Sequence, residues 1–182
     1  MPAATRTVTY EEYIRMPECE LGKEEVVDGE IITMPPASES HAAVISELLR
    51  SFLGALPKQG YRVLGSSFGI VIRQEPLQVR NPDVAVFNRD NYVVRDRLIY
   101  SAPQLAVEVL SPSNTRKEMS GRLRDDAEIG VPEVWLMSIE ARTIEVLLLK
   151  DGDYTERRLV NEGTLSPRHF PQVSIQVAEL WD

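Results

Sequence analysis

Two segments of this sequence read as buried strands, and each carries a carboxylate where an apolar residue is the default. Asp83 opens Asp-Val-Ala-Val-Phe87, and Glu108 sits inside Leu105-Ala-Val-Glu-Val-Leu110. Desolvating an ionised carboxylate is costly, so such groups are rarely buried without a partner. Alternation along a strand places Asp83 on the face of Ala85 and Phe87, and Glu108 on the face of Ala106 and Leu110. If the two strands are neighbours, the carboxylates converge. A carboxylate pair with an adjacent backbone carbonyl suits a hard cation such as Mg²⁺ or Mn²⁺, which keeps several waters. Asp83 and Glu108 are therefore candidate metal ligands, and the chemistry they point to is metal-assisted hydrolysis. Zinc is disfavoured, because the two histidines and the one cysteine are far apart in sequence. A phosphate-cradling glycine loop and a Gly-x-Ser-x-Gly elbow are both absent. A purely structural reading pairs the same carboxylates with arginines such as Arg80 or Arg122.

The elements that must position these residues follow from local pattern. Thr9-Tyr-Glu-Glu12 has capping-box spacing, so a short helix is expected over 10–16, stopped by Pro17. Glu24 to Met34 reads as two strands around a tight Asp28-Gly29 turn. Glu25 lies in the first, where spacing alone makes it an exposed strand residue. Pro35-Pro36 breaks the chain, and 38–56 carries the strongest helical pattern. There Val44, Ile45, Leu48, Leu49, Phe52 and Leu53 form one apolar stripe, and Ser40 is a plausible N-cap. His41 stands at the edge of that stripe, the place of a hydrogen-bonded boundary residue.

Two apolar runs flank Gly65-Ser-Ser67 within 61–73 and read as a hairpin, while 84–87 and 105–110 read as central strands covered on both faces. The charged spacer 89–97 is expected as an exposed loop or a turn of helix. Asn114 or Thr115 can cap a mostly polar helix through Ile129, with Met119, Leu123 and Ile129 as its apolar side and Gly130 as its stop. Strands are expected over 134–137, 143–149 and 154–160. The tail, 173–181, is expected as a final strand or short edge helix.

At 182 residues, 43% hydrophobic and 26% charged, the chain suits one domain with a substantial core, taken here as 1–182. The lone Cys19 leaves no internal disulfide. No apolar run approaches the length of a membrane span, and the N-terminus lacks a basic region followed by an apolar one. A cytoplasmic protein with no membrane partner is expected. The net charge of −8 argues against a protein that coats nucleic acid, which needs a basic surface to release counterions. A nuclease can still be acidic, because its metal site contributes acids and only one groove must be basic.

The order of these pieces resembles a known family. Pro82-Asp83, Glu108 in a strand followed by Ser-Pro-Ser, a charged helix and Gly130-Val-Pro-Glu-Val-Trp135 are similar to the Uma-two endonucleases of the PD-(D/E)XK, restriction-endonuclease-like superfamily. The Thr-Tyr-Glu-Glu-Tyr opening, Glu25-Val-Val-Asp-Gly-Glu30, the double proline and His41 heading a helix extend the resemblance over about 9–137. It implies an α/β (α+β mixed) fold with a restriction-endonuclease-like core: a mixed sheet flanked by helices, with an N-terminal hairpin and C-terminal strands. It implies Asp83 and Glu108 as metal ligands of a Mg²⁺- or Mn²⁺-dependent phosphodiesterase acting on DNA, with Glu25 and His41 as further site residues.

The basic member of the motif does not fall at Leu110 but on the following helix, at Arg122, where most relatives would have lysine. Asp126 stands where they usually carry tyrosine, and Glu118 matches their preceding acid. Arginine keeps its charge at all working pH, so Arg122 can stabilise a transition state but cannot act as a general base. Lys117 is a possible substitute, although it also reads as a solvated surface lysine. These departures motivate the alternative of a catalytically silent binding or assembly module. A homodimer is expected, since cutting both strands of a duplex calls for two sites.

Overall fold

The chain builds two mixed sheets where the sequence suggested one. The computed structural model describes residues 7–17, 23–111 and 114–181; Cys19 and Pro112-Ser113 lie outside the described residues. Helix α1 (Tyr10–Tyr13) is shorter than its pattern suggested, though both capping-box bonds between Thr9 and Glu12 are made. Strand β1 (Lys23–Val27) then turns into β2 (Glu30–Met34) through Asp28 and Gly29. Both turn residues have positive φ, 50° and 83°, the geometry that matches strand twist in a two-residue hairpin.

Helix α2 (Glu39–Ala55) is capped by Ser38, whose hydroxyl accepts from the His41 N–H. Ser40, the expected cap, is the second residue of the helix, and its hydroxyl meets that of Ser38. Most of the periodic stripe is the buried side: Val44, Ile45, Leu48 and Phe52 are buried, whereas Leu49 is partly buried and Leu53, expected in the stripe, is 61% exposed. Each such burial is worth about 1.5–3 kcal/mol, and truncating Phe52 to alanine costs ~3–5 kcal/mol.

Strands β3 (Tyr61–Gly65), β4 (Ile70–Gln74), β5 (Leu77–Arg80) and β6 (Val84–Asn88) follow. The expected 61–73 hairpin does not form. β3 pairs with β6, Val63 opposite Val86, whereas β4 pairs with β5 in the other sheet. The reason lies in the connection. Ser66 and Ser67 both take positive φ and turn the chain out of one sheet into the other. Gly65 permits this against α2, since a Cβ there would come within 2.7 Å of Leu49.

Short strands β7 (Val94–Arg95) and β8 (Leu98–Ile99) precede β9 (Leu105–Leu110), helix α3 (Arg116–Glu128) and β10 (Glu133–Ser138). Strands β11 (Thr143–Lys150) and β12 (Asp153–Val160), a small pair β13 (Thr164–Leu165) and β14 (Ile175–Gln176), and a 3₁₀ turn over Val177–Trp181 complete the chain. One sheet has the order β12-β11-β10-β9-β6-β3, with β9 and β10 parallel across α3. The other runs β2-β1-β5-β4-β8-β7.

The strands β6 and β9 are covered on both faces. On one side Val84, Val86, Leu105, Val107 and Val109 pack with the buried stripe of α2, Trp135 and Met137. On the other, Ala85 and Phe87 meet Ile70 and Ile99 of the second sheet. No helix among the described residues is long and apolar enough to cross a membrane.

Helix α3 departs from the usual amphipathic rule. Met119 and Leu123 are only partly buried, whereas Arg122, Asp125 and Asp126 are buried. A helix that turns charged residues inward marks the place where the two sheets and α3 meet.

Candidate active site

Asp83 and Glu108 face each other in that seam. β6 and β9 run antiparallel with Val84 opposite Val107, so one further step of register sets Asp83 opposite Glu108 on the same face. The Asp83 N–H donates to the Val107 carbonyl (3.0 Å), and the Val109 N–H donates to Asp83 Oδ2 (2.8 Å). Backbone pairing therefore fixes both the start of β6 and the angle of its carboxylate.

Three cationic groups approach the pair. Lys23 Nζ, from the first residue of β1, donates to Asp83 Oδ1 at 2.8 Å. His41 Nε2, from the first turn of α2, donates to the Val109 carbonyl at 3.2 Å and lies 3.3 Å from Asp83 Oδ2. Arg122, from α3, spans Glu25 Oε1 at 2.5 Å and Glu108 Oε1 at 3.4 Å through one nitrogen. Lys117 is exposed on the outer side of α3.

Glu25 is not the exposed residue its spacing suggested. It is 1% exposed, because β1 packs edge to edge with β5 and faces α3. Its second oxygen accepts from Arg80 (3.0 Å), and its first also takes the Asn81 N–H (3.0 Å). Arg80 is shared with Asp125 at 2.6 Å, and Gln78 donates to the same Asp125 oxygen at 2.6 Å. This continuous buried network holds Arg122 from beneath. Arg80 thus pairs with Glu25 and Asp125, while Arg122 is the arginine that meets Glu108.

Burial and charge pull the two central carboxyls in opposite directions. Burial would raise Asp83, but the His41 hydrogen bond and the Lys23 charge outweigh it and hold the group at about 2. Burial dominates at Glu108 and pushes it up to about 7, against the opposing charges of Arg122 and Lys23. Hydrogen bonding to Asp83 raises His41 above its ordinary value. Burial, then the Glu108 charge, lifts Asp126 well above the usual carboxyl range.

Lys23, Gln78 and Asp125 were not visible as site residues in the sequence. Lys23 does carry a signal: it stands two before Glu25, so both share one face of β1. Gln78 and Arg80 alternate with Leu77 and Val79, which resembles an ordinary half-exposed strand, yet all four are buried.

The donor set, two carboxylates and a backbone carbonyl, is all oxygen, the kind a hard divalent cation takes. Asp83 Oδ2 and the Val109 carbonyl both lie within 3.3 Å of His41 Nε2, and Glu108 stands opposite Asp83 across the strand pair. Among the described residues no group of three or more His, Cys, Asp and Glu side chains could hold a metal.

The family model "Putative restriction endonuclease", Uma2, matches residues 10–178. The chain belongs to the Uma2 family. Its fold is similar to that of "a putative nuclease belonging to DUF820" from Anabaena variabilis, at a TM-score of 0.78 and 20% identity over 96% of this chain and 97% of that one. No curated protein matches.

Proposed function

We propose that this Uma2 chain is a metal-dependent phosphodiesterase that hydrolyses DNA. The observation that carries the reading is the Asp83–Glu108 pair, opposed across β6 and β9 beside a backbone carbonyl and ringed by Lys23, His41 and Arg122. Asp83, Glu108 and the Val109 carbonyl would hold Mg²⁺ or Mn²⁺. Such an ion, when bound, lowers the pKa of a coordinated water and polarises the phosphate.

The chain's own residues divide the remaining work. Arg122 stays charged at every working pH and offsets negative charge gathering on the phosphate. Glu25 is a positioning residue: with Arg80 and Asp125 behind it, it fixes where the guanidinium points. His41 orients Asp83 through Oδ2, the oxygen that also accepts from the Val109 N–H. A second copy of the chain, bringing a second site, suits cleavage of both strands.

A second reading has its own observation. Lys23 and Arg122 already offset the charge of Asp83 and Glu108, so the fold can persist as a silent binding or assembly module. Plasmid nicking in Mg²⁺ or Mn²⁺ by wild type and by Asp83→Ala separates the two. Cleavage by wild type alone supports the enzyme. Equal cleavage, or none from either protein, overturns it.

A further inference from the structure

We propose that Lys23 is a built-in counter-ion that occupies the cation position on Asp83 and must leave it before a divalent ion can bind. The inference rests on the metal-site reading above and adds a residue to it.

Lys23 and Arg122 bring equal charge to the cleft, but only one of them can leave. The guanidinium is anchored on Glu25, itself locked by Arg80 and the Asn81 N–H. Among the described residues the Lys23 ammonium is paired with Asp83 Oδ1 alone, at 2.8 Å, and its side chain is 16% exposed. It is carried by the first residue of β1 on a flexible four-carbon stem, so swinging outward breaks one ion pair and no part of the network.

Electrostatics gives the direction of the effect. A cation arriving at Asp83 must displace Lys23 and then suffer its repulsion at short range, where the local dielectric is far below that of water. Removing the ammonium removes both penalties. The protein therefore holds its two carboxylates without metal at the expense of metal affinity.

Calorimetric titration with Mn²⁺ tests this on wild type, Lys23→Met, Lys23→Arg, Lys117→Met and Asp83→Ala. Lys23→Met should bind at least about tenfold more tightly than wild type, while Lys23→Arg and Lys117→Met stay near wild type and Asp83→Ala loses binding. Thermal melts with and without Mn²⁺ on the same proteins report folding and repeat the ranking independently of cleavage. Equal or weaker affinity in Lys23→Met overturns the role of Lys23 and leaves the metal site standing. Absence of binding in both wild type and Lys23→Met overturns the metal site and this inference together.

Discussion

The seam between the sheets holds two kinds of charge within one short cleft. Its inner half is a closed lattice in which Glu25, Arg80, Arg122, Asp125 and Gln78 each meet at least one buried partner through side-chain hydrogen bonds. Its outer half is a single ion pair and a histidine: Lys23 on Asp83, with His41 beside them. The inner half behaves as scaffold, where removing a charged member takes a counter-charge from its buried partners. The outer half carries the proposed site, where the lysine would give way to a metal cation. Arginine in the inner half and lysine in the outer half fit these duties, because a planar fork spans two carboxylates and an ammonium on a long stem does not.

The largest effect should come from breaking the lattice. Glu25→Ala leaves Arg80, Arg122 and the Asn81 N–H without their shared partner, at a cost of about 3–5 kcal/mol in denaturant unfolding. A loss below about 1 kcal/mol would mean that the inner half is no more rigid than the outer.

A pH titration of metal-free stability sharpens the comparison. Glu108 is raised from 4.5 to about 7, so the folded state keeps a proton that the unfolded state releases. Stability then declines from pH 4.5 to pH 7, by about 3 kcal/mol at most. His41 extends the decline above pH 6.5, since its raised value stabilises the fold fully below that pH and the gain is lost as the ring deprotonates. Asp83, lowered from 3.8 to about 2, acts on the acid side, with stability lost as pH falls through that range. Unfolding midpoints across pH should therefore peak near pH 4–5, and Glu108→Gln should flatten the decline toward neutral pH. The smallest effect belongs to Lys23→Met. Asp83 keeps His41 and the Val109 N–H, so stability falls by only about 1–2 kcal/mol.

Much of the outer half was legible in the sequence. Alternation put Asp83 and Glu108 on faces that meet once β6 and β9 pair, and acids in apolar strands are conspicuous. Helix α2, the Asp28-Gly29 hairpin and α3, with a cap expected at Asn114 or Thr115 and found at Thr115, followed from period and cap chemistry. The inner half was hidden because its polar residues imitate exposed ones. Gln78 and Arg80 alternate with apolar neighbours as surface residues do, Glu25 follows two other charged residues, and only packing β1 and β5 beneath α3 buries them. The split into two sheets was equally hidden. The runs on either side of Gly65-Ser66-Ser67 look like hairpin partners, and only the positive φ of the serines sends β4 elsewhere. Lys23 lies 60 residues from Asp83, a separation that no local pattern reports.

The most direct test of the exchangeable outer half is a crystal soaked in Mn²⁺ and measured at the manganese absorption edge. An anomalous peak bound by Asp83 and Glu108, with the Lys23 ammonium withdrawn from Asp83 Oδ1, is the predicted result. Saturating Mn²⁺ that leaves the 2.8 Å Lys23–Asp83 pair intact and gives no peak between the two carboxylates would contradict it.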